Sequence, residues 1–146
     1  MNEEIREYYQ ELLNIYQGNQ TLERKYRKMR ELLERAVRSQ IKDTSLQTTD
    51  FAARLNYVAT MSNMDNVEFN NIHSFRLTSN EILNHRLEPT YEDFLRHLSA
   101  VSFALRRIFK VDIPLNLFSV LPKYSSTSEY RRVASKKIKR VRVCFE

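Results

Sequence analysis

Apolar positions recur at helical spacing through most of the chain. Ile5, Tyr8, Tyr9, Leu12, Leu13 and Tyr16 share one face and predict a first helix over 2–17. "QGNQ" at 17–20 interrupts it. Thr21 then suits an N-cap, because its hydroxyl can accept from the free N–H groups of a first turn. The second helix carries Leu22, Tyr26, Met29, Leu33, Ala36 and Val37 on one side, with Arg24, Lys25, Arg27, Lys28, Arg30, Arg35 and Arg38 around the other. A polar run at 41–50 predicts a loop. The third helix begins at Phe51, with Thr49 or Asp50 as its cap and Leu55, Val58 and Ala59 turned inward; "SNMDN" at 62–66 closes it. A fourth helix is expected over 67–86, with Ile72, Phe75, Ser79, Ile82 and Leu83 inward. Pro89 stops it, and Thr90 with Asp93 three residues on resembles a capping box. The fifth helix bears Tyr91, Phe94, Leu95, Leu98, Val101, Leu105, Ile108 and Phe109, a stripe wide enough for the middle of a bundle. Arg106, Arg107 and Lys110 fall at its end, where the helix dipole favours cations.

The pattern then changes. Residues 111–122 are apolar but irregular, as expected of a segment lying across one end of a bundle. "KYSSTSEYRRVASKK" at 123–137 reads as a flexible basic linker. In 138–146, Val141, Val143 and Phe145 alternate with Arg140, Arg142 and Cys144, the period of a strand. A strand without a partner points to the start of a further, β-rich domain. The expected architecture is therefore all-α, a bundle of four or five helices over 1–122, with a C-terminal basic linker and a single β-strand segment.

Composition supports the helices. One glycine and three prolines in 146 residues leave few turn positions for sheets and tight hairpins. Charge locates the basic excess. Sixteen Lys and Arg balance sixteen Asp and Glu in 1–122, whereas 123–146 holds eight basic residues against Glu129 and Glu146, and so all of the net +6. Arg131, Arg132, Lys136, Lys137, Lys139, Arg140 and Arg142 are candidate contacts to DNA or RNA, with Tyr124 and Tyr130 available for stacking; such contacts would be sequence-nonspecific and salt-sensitive. On the second helix, Glu23, Glu31 and Glu34 interleave with the cations, the pattern of a solvated face. Cys144 alone allows neither an intrachain disulfide nor a cysteine metal site, and Gly18 alone cannot make a phosphate-binding loop. His73, His85 and His97 are not at ligand spacing with a carboxylate or thiol, so no metal and no cofactor is expected. The acidic start argues against a secretory signal, and no apolar window is long enough to span a membrane; a cytoplasmic protein is expected.

The candidate chemistry lies on the fourth helix. At about 100° per residue, His73, Arg76, Asn80 and Asn84 form one polar stripe, with His85 turned off it. The stripe could hold phosphate and move a proton, or it could be a seam through which helices pack. "FRLTSNEILNH" followed by "EPTYEDFLRHLSAVSFALRRIF" resembles HEPN-type helical bundles, in particular those carried as accessory domains by bacterial helicases and restriction proteins. The resemblance covers about 51–117. Arg76 and Asn80 match the arginine and asparagine of that family's helix, but the histidine position falls on Asn84, and His85 comes one residue late. Ribonuclease members place the histidine sooner after the arginine than the eight intervening residues found here.

The resemblance implies a non-catalytic accessory domain of a nucleic-acid-processing enzyme, by likeness a helicase, whose partner is the rest of a larger parent protein. The alternative it implies is a metal-independent ribonuclease acting as a homodimer, with Arg76 steadying phosphate and His85 as acid–base. A structural dimerisation bundle is a third expectation.

Overall fold

The structure is a computed structural model that describes residues 3–110. The apolar segment expected at 111–122, the basic linker at 123–137, the strand at 138–146 and the seven candidate tail contacts lie outside the described residues. Among the described residues all regular structure is helical: α1 (Glu3–Gln17), α2 (Leu22–Ser39), α3 (Thr44–Gln47), α4 (Phe51–Met61), α5 (Asn66–Leu83) and α6 (Tyr91–Phe109). Five of these are long. The sixth, α3, is a single turn inside the predicted 41–50 loop. Asp43 starts it by accepting from the Ser45 N–H, and its bond to the Ser45 hydroxyl holds that carboxyl below the usual carboxylate range.

The caps explain why the helices begin where they do. Thr21, Asp50 and Thr90 each accept from the N–H three residues on, as expected. The reciprocal capping box lies elsewhere, on α5: Asp65 accepts from the Glu68 N–H (2.7 Å) while Glu68 accepts from the Asp65 N–H (3.2 Å). On α6, Asp93 directs its carboxylate to Arg96 instead. Helix α5 ends three residues before the expected limit, because Asn84 is its C-cap and His85 turns left-handed at φ 59°. At the end of α1, the Gly18 N–H bonds Asn14 O at 2.9 Å, and a Cβ there would stand 3.1 Å from the same oxygen.

Helix α6 occupies the centre, packed on α1, α2 and α5; α2 also meets α1, α4 and α5. The core joins Leu12 of α1, Tyr26, Met29 and Leu33 of α2, Leu55 of α4, Ile72 and Phe75 of α5, and Phe94, Leu98, Val101 and Leu105 of α6. The stripe expected on α6 is buried apart from its ends, where Tyr91 is exposed and Leu95 and Phe109 are half-buried. Lys25, expected among the outward cations of α2, is instead buried: its Nζ donates to Tyr16 O at 3.1 Å and lies 5.3 Å from the centre of the Phe94 ring. It thereby satisfies a carbonyl at the open end of α1. Leu83, expected inward, is half-buried, and Thr78 is buried in its stead.

Candidate functional site

With Ile72, Phe75 and Ile82 of α5 in the core, the middle of the polar stripe lies along the flank facing α2. The stripe divides in three.

Its middle is a packing seam. Arg30 of α2 reaches across, and its Nη1 donates to Ser79 Oγ and Asn80 Oδ1, both at 2.7 Å. Ser79 in turn donates to Arg76 O at 2.8 Å. Arg30 is held from its own side by Glu34, at 2.9 Å from Nε, and by the Phe51 ring, 4.7 Å from its guanidinium carbon. With Nε on Glu34 and Nη1 on Ser79 and Asn80, this guanidinium is committed to joining the two helices.

His73 and Arg76 make up the outer part. The guanidinium lies 3.3–3.4 Å from both ring nitrogens of His73. Arg76 Nε donates to Nδ1, while Nη2 lies within reach of both ring nitrogens, only one of which accepts in a neutral imidazole. The imidazole is also stacked on Phe69, with ring centres 5.7 Å apart. Burial, reinforced by the Arg76 charge, holds the His73 pKa below its ordinary value. Burial and the Arg30 charge lower that of Arg76, with Asp50 opposing them. Among the described residues no carboxylate lies within ion-pairing distance of Arg76.

At the end of the stripe the residues turn away. Asn84 is an exposed C-cap whose N–H bonds Asn80 O at 3.0 Å, so it takes no part in the seam. His85 is exposed in the α5–α6 connection, with Nδ1 3.6 Å from Glu23. It borders an open cleft of about 520 Å³ shared with Leu22, Ile82, Leu87 and Pro89; neither Arg76 nor His73 lines that cleft. Arg76 and His85, the residues of the ribonuclease expectation, thus sit in separate surroundings.

Sequence reasoning considered His97 only as a metal ligand and missed its role. It is buried, with Nδ1 2.5 Å from Tyr26 Oη, in an aromatic group formed with Phe75 and Phe94. The signal was present: positions 94, 97, 98 and 101 share one helical face, so His97 lies within the apolar stripe. Asp93 and Arg96, also buried, pair beside it.

Among the described residues no three His, Cys, Asp or Glu side chains gather to hold a metal ion, and no helix is long and apolar enough to cross a membrane. No family model, no curated protein and no solved structure matches the chain.

Proposed function

We propose that the chain is a non-catalytic helical interaction module, an accessory domain of a larger nucleic-acid-processing enzyme, which meets nucleic acid weakly through its basic C-terminal residues. The observation that carries the non-catalytic part is Arg30. By joining Ser79 and Asn80 to α2, it gives the centre of the stripe a structural duty. The ribonuclease alternative draws less support, since the acid–base it needs is an exposed histidine beside Glu23. The nucleic-acid part rests on charge. Residues 3–110 hold sixteen Lys and Arg against fifteen Asp and Glu, so the helices alone offer almost no net attraction for phosphate.

Fluorescence anisotropy of labelled single- and double-stranded DNA and RNA tests the proposal. In the full chain, replacing Arg131, Arg132, Lys136, Lys137, Lys139, Arg140 and Arg142 with glutamine should remove most of the binding at low salt. The unsubstituted chain should lose affinity steeply as salt rises. Binding left unchanged by the seven substitutions overturns the assignment to the tail. RNA cleavage that disappears in both R76A and H85A would replace the whole reading with the ribonuclease.

A further inference from the structure

We propose that His73 and Arg76, backed by Arg30, form a subsite for a phosphate group on the outer side of the α2–α5 seam. The proposal concerns the helical body and stands independently of the basic tail.

Three positively charged or protonatable groups converge there, and two of them are already fixed. Arg30 is tied to Glu34, Ser79 and Asn80. Arg76 lies on an imidazole that is itself stacked on Phe69. Arg30 contributes a fixed charge, and Arg76, held in place, is a donor that can bind an anion with little loss of side-chain freedom. Arg30 has Glu34 as its counterion, but among the described residues Arg76 has no ion-pair partner of its own. Asp50 acts on Arg76 only at longer range, and one of its oxygens is engaged by the Ala53 N–H at 2.9 Å. Glu34 is taken up by Arg30, and Glu68, nearer the start of α5, by Arg107 of α6 at 2.8 Å. Among the described residues Arg76 Nη1 has no hydrogen-bond partner, so one edge of the guanidinium is open.

Burial first, and then repulsion, disfavours the charged forms here: Arg30 acts on Arg76, and Arg76 on His73. A bound oxyanion opposes the repulsion at both groups. Phosphate suits the site better than a carboxylate because it offers oxygens in more than one direction, one for the open Nη1 of Arg76 and another for a protonated imidazole. Binding should therefore draw a proton onto His73.

Histidine imidazole NMR of the full chain provides the test. Inorganic phosphate is titrated at constant ionic strength against chloride, and separately a short oligonucleotide without terminal phosphates is added. The expected result is a saturable change at His73 with a rise in its pKa, not followed by His85 or His97. In R76Q the phosphate affinity should fall about tenfold or more. Without phosphate, the His73 pKa should be higher than in the unsubstituted chain, because a neighbouring cation has been removed. R76K keeps the charge but not the fork and should bind more weakly than the unsubstituted chain, which preserves the test if R76Q folds poorly. A response to inorganic phosphate assigns the site to free phosphate; a response to the oligonucleotide alone assigns it to a phosphodiester backbone. No saturable change with either ligand, or equal changes in R76Q and R76K, overturns the proposal. Tail-driven binding would raise anisotropy without moving His73, so the two readings fail separately.

Discussion

Two buried tyrosines show how differently one hydroxyl can act. Tyr26 Oη meets His97 Nδ1 at 2.5 Å in the core. Tyr9, equally buried, has no hydrogen-bond partner for its hydroxyl among the described residues, and burial drives its phenol far above the ordinary value against the opposing charge of Arg106. An unpaired buried hydroxyl costs free energy that its removal recovers, whereas removal of a paired one strands its partner. Urea denaturation of Tyr9→Phe should therefore show unchanged stability or a gain of up to about 1 kcal/mol. Tyr26→Phe should lose about 1–2 kcal/mol by leaving His97 with a lost partner. Equal losses in the two variants would mean that Tyr9 is hydrogen-bonded in solution.

At the scale of elements, starts were more legible than ends. Thr21, Asp50 and Thr90 cap as their chemistry predicts, because an N-cap is a local contract between one side chain and an N–H three residues away. The end of α5 was set by a left-handed turn at His85, a residue whose sequence carries no stop signal comparable to glycine. The seam was only half legible. Helical spacing put Asn80 on a polar stripe, but that Arg30 would meet it depends on the rotation of α2, fifty residues away in sequence. Lys25 escaped for the same reason: its hydrophobic stem and Tyr16 carbonyl are tertiary partners. The capping box of α5 gives a direct check. Asp65→Ala should lower stability by about 1 kcal/mol, and Asp65→Asn by much less, since asparagine can still accept from Glu68 N–H. Thermal unfolding followed by circular dichroism would separate them, and identical midpoints would show that the box contributes nothing.

Across the whole molecule, packing is concentrated on α6 and α2, while α4 is held chiefly by α2 and by the single turn of α3. Tyr57 and Met61 of α4 are exposed as well. Fewer partners mean a lower free energy of local opening. Amide hydrogen exchange should therefore release Leu55 and Val58 before Leu98 and Val101. Exchange of all four at a common rate would mean that the bundle opens as one unit.

The left-handed corners have a consequence for engineering. Asn63, His85 and Lys110 turn at φ 57°, 59° and 55°, each with a Cβ where glycine would have none. The conformation costs a residue with a side chain about 1–2 kcal/mol, part of which glycine returns through the greater disorder of its unfolded chain. His85→Gly and Lys110→Gly should therefore raise the melting temperature, an uncommon case in which adding glycine to a helical protein makes it more heat-resistant. A chain this poor in glycine keeps reserves of thermostability at the corners where its helices stop.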